Sequence, residues 1–414
     1  MTMTDEEKQE LDGILPQLTA EDSDARRWAV YDLEKFPPEV TVGHLVTATQ
    51  DEHRAVREAA SELLEAVPTE QSLPHLTPLL GHKKIEVRNL VAALIAKFGA
   101  EAVDALVIAL KEGNEDVRKF SADILGLAGS DKAVEGLSKA MLDEVANVGV
   151  SATEALGKIR SPLALSALME VFETKDYLMR EAAEAIGLIG DADSANYLAG
   201  KLFDTSDLLI QYAMIDAMGN AGDQAVLEQL EASFPKLSVP LQGAAILGLL
   251  KIAKRLDISL FSRRSIPVDA VMAGIDAGGE DYQQLLIEQL DETVDADQLT
   301  EFTAAADQRN AKMLVALIHL STAENDLQSF CVGLVDHEND WVAYTAIEQL
   351  PIFGAELATP IIQKILAGER NLPQLAAMRA MQELDIPQAL EWVRPFLKSE
   401  DDDLRSMAEQ VLGS

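Results

Sequence analysis

Residues 116–157 read DVRKFSADILGLAG, SDKAVEGLSKAM, LDE and VANVGVSATEALG: one helix, a short turn, a second helix, and then the first pattern again. An aliphatic–glycine pair recurs at Leu125-Gly126, Leu156-Gly157, Ile186-Gly187, Met218-Gly219 and Leu247-Gly248, with the glycines 31, 30, 32 and 29 residues apart. A second marker keeps the same beat at Leu106, Leu137, Leu168, Leu198 and Leu230. Two registers that agree over more than a hundred residues define a repeat of one helix pair. A single pair cannot bury its apolar face alone, so the pairs must stack. The expected fold is all-α: an α-solenoid of about thirteen helix pairs.

Composition agrees. Apolar residues make up 48% of the 414, while aromatics are only 5%, which suits closely packed helices better than strands. Lys and Arg total 34 against 70 Asp and Glu, for a net charge of −36. So acidic a surface repels phosphate backbones and anionic membranes, which argues against nucleic-acid and membrane partners. The same charge also reads simply as what keeps an elongated chain soluble. The single cysteine, Cys331, has no internal disulfide partner, and the N-terminus MTMTDEEKQE is acidic and polar. Both point to a reducing, cytoplasmic setting. The longest apolar run, Ala244 to Leu250, is far too short to span a bilayer.

Rougher copies of the unit precede Asp116. Helix pairs are expected over 5–35, 38–66, 70–98 and 100–128, broken by Glu21-Asp22-Ser23-Asp24, near Asp51, at Gly81-His82 and at Gly113-Asn114. A Val-Arg dipeptide recurs in their second helices at Val56-Arg57, Val87-Arg88 and Val117-Arg118. Past Gly248 the beat stumbles: 251–266 carry Lys251, Lys254, Arg255, Arg263 and Arg264 against the single acid Asp257. The expected organisation is a regular array over 1–256, an irregular basic connector at 257–266, and a more divergent array over 267–414.

An acidic cap, Val-Arg, two small residues, Leu-Gly and a following Ala-rich helix resemble the HEAT-repeat family, closest to the bacterial HEAT-like repeats of phycobilin lyases. The resemblance covers roughly residues 50–256 and returns in Leu404-Arg405 through Leu412-Gly413. Gly149 and Met179 take the arginine position in two copies, and 267–399 lose the Leu-Gly signature. The resemblance implies the stacked-pair architecture, with second helices lining a concave face. It also implies that Arg57, Arg88, Arg118 and Arg405 pair with caps of neighbouring repeats.

Motifs for chemistry are scarce. Gly157-Lys158 lacks the first glycine and the Ser/Thr of a phosphate-binding loop. Asp336, His337, Glu338 and Asp340 read as a polar turn capping the helix of Trp341, and Cys331 has no base beside it in sequence. No catalytic, cofactor or metal residue is assigned, and no cofactor is expected. Trp28, Trp341 and Trp392 read as core plugs or end caps that could also serve as interface anchors.

One pattern is left over from packing. Three residues before successive marker glycines stand Asp123, Glu154, Glu184 and Asp216. At 100° per residue each points about 160° away from the apolar stripe of its helix. The four would form a row of carboxylates on the second-helix face, partly neutralised by Lys119 and Arg180 one turn earlier. These four, with Arg263 and Arg264 of the connector, are the candidate partner contacts. The expected function is a non-enzymatic protein-binding scaffold or adaptor whose partner carries a basic segment. The alternative, implied only by the subgroup resemblance, is a bilin-lyase-like component that holds a chromophore or its apoprotein.

Overall fold

The computed structural model describes residues 3–263, 266–277, 279–290, 294–306, 310–322, 327–384, 386 and 390–413. Its described residues form helices and turns without strands. The chain divides into two compact units, Met1–Gly222 and Asp223–Ser414. Among the described residues the first holds seven pairs of α-helices and the second six, and each unit is an α-solenoid.

Two of the expected breaks, at Asp22 and Asn114, carry side-chain caps, whereas the helices after Asp51 and His82 start without one. The helix Ser23–Asp32 starts on Asp22, whose carboxylate accepts from the N–H groups of Asp24 and Ala25. The helix Glu115–Ala128 starts on Asn114, which accepts from the Val117 N–H at 3.0 Å, and stops on Gly129 in the left-handed region. Asp191 and Asp207 cap the helices Ala192–Lys201 and Leu208–Ala221 in the same way. Each cap satisfies backbone donors that would otherwise be orphaned, and Asp22, Asp191 and Asp207 also set a negative charge against the positive end of the helix dipole.

The recurring glycine is explained by packing between second helices. A Cβ on Gly126 would sit 2.9 Å from Cα of Ala155, one on Gly157 the same distance from Cα of Ala185, and one on Gly187 2.6 Å from Cα of Ala217. Each alanine stands two residues before the next glycine, so the contact repeats from helix to helix through Glu115–Ala128, Ala146–Ile159, Met179–Ile189 and Leu208–Ala221. Only a missing side chain lets backbones approach so closely. The first helices are held apart by larger residues: between Val103–Glu112 and Val134–Ala140 a groove of about 660 Å³ opens, lined by Val107, Leu110, Lys111 and Lys139 among others.

Arginine joins repeats on the turn side. Arg118 donates from Nη1 to the Gly113 carbonyl of its own turn at 3.0 Å, and through Nε and Nη2 to both oxygens of Asp143 at 2.8 Å. Arg26 does the same with Ala20, Glu21 and Asp51. In both cases the acid stands 25 residues on, and its oxygen also accepts from the N–H two residues later, His53 or Val145. Arg57 and Arg88 bind the carbonyls of their own turns. Their position 25 residues on holds His82 and Gly113, which offer no carboxylate. The expected pairing of arginines with neighbouring repeats therefore applies to Arg118 and, unforeseen, to Arg26. Where the arginine is absent, Gln211 bonds the Leu202 and Thr205 carbonyls instead. At Gly149 a Cβ would lie 2.8 Å from the Met141 carbonyl oxygen, so the turn itself takes the space.

In the second unit Gly248 is the last of the buried marker glycines, and later second helices carry alanines. Ala343 and Ala346 in the helix Asp340–Glu348, and Ala376, Ala377 and Ala380 in Asn371–Glu383, are all buried. The stretch 257–266 begins with Asp257 at φ 54° and contains one 3-10 turn, Phe261–Arg263. It belongs to the second unit, and of its described residues Leu260, Phe261 and Ile266 are buried. The Leu260 N–H donates to Oε1 of Gln289, and Nε2 of Gln298 donates to the Phe261 carbonyl, each at 2.8 Å.

Candidate functional site

The acids three residues before the glycines all emerge on the second-helix layer of the first unit. Glu154 and Glu184 are exposed, Asp123 and Asp216 half-buried. Their neighbours on the helix, at positions −2 and −1, are buried in the stack (Ile124 and Leu125, Ala155 and Leu156, Ala185 and Ile186, Ala217 and Met218). Burial of those neighbours fixes the rotation of each helix and so the direction of each acid.

The row is braced by cations one turn back. Lys119 Nζ bonds Oδ2 of Asp123 at 2.9 Å, and Arg180 Nη1 bonds Oε1 of Glu184 at 2.8 Å. Asn220 Nδ2 donates to Asp216 at 2.9 Å. Arg180 also pairs with the buried Glu181. Burial would loosen the proton of Arg180, but the fields of Glu181, Glu184 and Glu154 outweigh it and hold the guanidinium firmly charged. Exposed pairs of this kind contribute little to stability, about 0.3–0.5 kcal/mol each, and their effect here is to fix the carboxylates in place. The i, i+4 spacing made the Lys119 and Arg180 pairs legible in advance.

Arg263 is committed within the second unit. Its Nε and Nη2 bond the two oxygens of Glu231, each at 2.8 Å, and Nη2 lies 4.0 Å from Glu228. Arg264 lies outside the described residues.

Four features of the layer were not singled out from the sequence. Leu188, Leu209 and Tyr212 are large apolar residues left exposed on the same helices as the acids, and Tyr177 is exposed in the 3-10 turn Asp176–Leu178 that leads into the helix of Glu184. The signal was available, since Tyr177 and Leu209 both stand ten residues before a marker glycine. In the second unit Trp341 is likewise exposed, its ring stacked on Tyr344 at 5.2 Å and 5°. Trp28 is also exposed, 5.9 Å from the Tyr31 ring. For these two the interface reading of the tryptophans is the one that exposure leaves open.

Among the described residues no group of three His, Cys, Asp or Glu side chains could hold a metal ion. Cys331 is buried, burial pushes its thiol up, and the nearest polar atom is Oγ of Ser321 at 3.0 Å. Also among the described residues, no helix is long and apolar enough to cross a membrane.

Comparison with known proteins finds HEAT repeats in part of the first unit. Residues 11–96 and 103–185 match the family model of HEAT repeats, so repeats of that class are present in the first unit. No curated protein matches the chain. Among solved structures, karyopherin Kap121p bound to the extreme C-terminus of the protein phosphatase Cdc14p is 14% identical with a TM-score of 0.47, and the likeness covers 98% of this chain and 52% of that one. A Kap121p mutant gives 13%, 0.48, 97% and 52%. The chain thus spans about half the length of those karyopherins. A structure concerned with the phosphorylation switch between cadherin and beta-catenin gives 12% identity and a TM-score of 0.39, covering 97% of this chain and 98% of that one.

Proposed function

We propose that the protein is a non-enzymatic protein-binding scaffold, and that the second-helix layer of its first unit docks a partner segment rich in Lys or Arg. The observation that carries the reading is the row Asp123, Glu154, Glu184 and Asp216, held outward on four successive helices whose glycine–alanine contacts keep them in step. Packed helices lie about 8–10 Å apart, which sets the spacing of the row. Each contact to a partner cation is worth at most about 1 kcal/mol at an exposed site. Affinity then comes from several contacts together, and the field of a strongly acidic chain speeds encounter.

Carbodiimide coupling tests the site. It joins a carboxylate to a lysine only where the two are in contact. With a lysine-bearing helical peptide as probe, the coupled acids are expected to be those of the row. Coupling concentrated on the first-helix acids Glu135 and Glu170 would overturn the assignment.

A further inference from the structure

The acid row is only half of what the second-helix layer presents. Ten residues before their glycines stand Tyr177, in the 3-10 turn that leads into the helix Met179–Ile189, and Leu209, in the first turn of the helix Leu208–Ala221, with 47% and 69% of their surface exposed. Seven residues before the same glycines stand Arg180 and Tyr212, the latter 51% exposed. Glu184 and Asp216 follow one turn later. Leu188 leans across the preceding helix, its Cδ1 3.2 Å from the place a Cβ on Gly157 would take. Along the helix Leu208–Ala221 the order is therefore apolar, Tyr, acid at 209, 212 and 216. The same order at the same spacing recurs in the second unit as Trp341, Tyr344 and Glu348, where the Tyr344 hydroxyl bonds Oε1 of Glu348 at 2.6 Å. Large apolar side chains held in water cost free energy unless something covers them.

Resting on the docking role proposed above, we infer that the occupant is an amphipathic α-helix with an apolar stripe flanked by lysine or arginine, in a seven-residue period. The period follows from two lengths. Neighbouring second helices are about 8–10 Å apart, and seven residues of α-helix rise about 10.5 Å. A partner helix laid across the layer thus brings one apolar and one basic residue to each repeat. Its apolar stripe meets Tyr177, Leu209 and Tyr212. Its basic flank lies one turn over, at Glu184 and Asp216, so charge complementarity fixes which flank faces which row. Tyrosine and arginine on the receiving side are the residue types that dominate binding hot spots. An extended segment would present its side chains with a period of about two residues, which does not keep step with the repeats.

Two fluorescent 21-residue peptides test the inference against the full-length chain. The first carries Leu at heptad positions a and d and Lys at b and e; in the second each Leu is replaced by Gln. The wild type is expected to bind the first at least tenfold more tightly. The variant Leu209→Ala/Tyr212→Ala, whose altered side chains are exposed and leave the core intact, is expected to bind both alike. Equal binding of both peptides by the wild type, or an unchanged preference in the variant, overturns the apolar anchor while leaving the acidic docking face standing. If reversing Asp123, Glu154, Glu184 and Asp216 to Lys changes the binding of neither peptide, or neither binds the wild type, the docking role itself falls.

Discussion

Arg118 and Asp143, 25 residues apart, are joined by two parallel hydrogen bonds of 2.8 Å, and both side chains are mostly shielded from water. The pair ties the turn of one repeat to the turn of the next. Breaking a shielded pair leaves an uncompensated charge, which costs more than the pair contributes. Arg118→Ala is expected to lower unfolding free energy by about 3 kcal/mol. Arg54→Ala, whose partner Glu58 lies on its own exposed helix surface, is expected to cost under about 0.5 kcal/mol. Urea denaturation of the two variants checks the difference.

The pair also predicts a pH dependence. Burial would raise the Asp143 carboxyl, but bonds from Arg118 and the Val145 N–H outweigh it and hold the group below its ordinary range; Asp51 is lowered in the same way by Arg26 and the His53 N–H. A carboxyl whose folded value is depressed stabilises the fold above its unfolded value, and that stability is lost as pH falls through the folded value. The gap in stability between wild type and Arg118→Ala should therefore be full at pH 7 and shrink below about pH 4. Urea midpoints measured from pH 7 to pH 3 read it directly.

Glycine substitutions should change sign with location. A Cβ on Gly187 would meet Cα and Cβ of Ala217 at 2.6 and 2.8 Å, whereas one on Gly43, inside the helix Pro38–Ala48, meets nothing within 4 Å. Gly187→Ala should destabilise by about 1–3 kcal/mol through overpacking. Gly43→Ala should stabilise by about 0.5–1 kcal/mol, because alanine is the better helix former. Thermal melts of the two variants give the comparison.

The stretch 257–266 should behave as a clasp. With Leu260, Phe261 and Ile266 buried and Arg263 bonded to Glu231 through both oxygens, trypsin is expected to cut after Arg263 slowly at low salt. Cleavage should quicken as salt rises, since ions screen an exposed pair, and should be fast at any salt in Glu231→Gln. Rapid cutting of the wild type at low salt would mean that the clasp is absent.

Much of this was legible because backbone approach leaves a mark in sequence. Gly126, Gly157 and Gly187 had to be glycine, and their even spacing announced the stack. The caps Asp22, Asn114 and Asp191 were legible because helix starts demand short polar side chains. Past Gly248, in the second unit, the buried small residues of the helices Asp340–Glu348 and Asn371–Glu383 are alanines, so packing there left no glycine signature. The Arg118–Asp143 bond was legible only in part, since a fixed offset of 25 residues is meaningless until the turns are seen side by side. Leu188, Leu209 and Tyr212 escaped because an apolar residue on a helix reads as core until its direction is known.

The central claim is that the row on the second helices is a docking surface, and association kinetics test it most directly. Asp123, Glu154, Glu184 and Asp216 are reversed to Lys in one variant, and the exposed first-helix-side acids Glu101, Glu135, Glu170 and Glu228 in another of equal net charge. The probe is the heptad peptide with Leu and Lys. Reversing the row should slow the on-rate about tenfold or more at low ionic strength and flatten its dependence on salt. The matched variant should stay close to the wild type in both respects. Equal on-rates and equal salt slopes for the two variants would contradict the account, leaving the row as solvated surface.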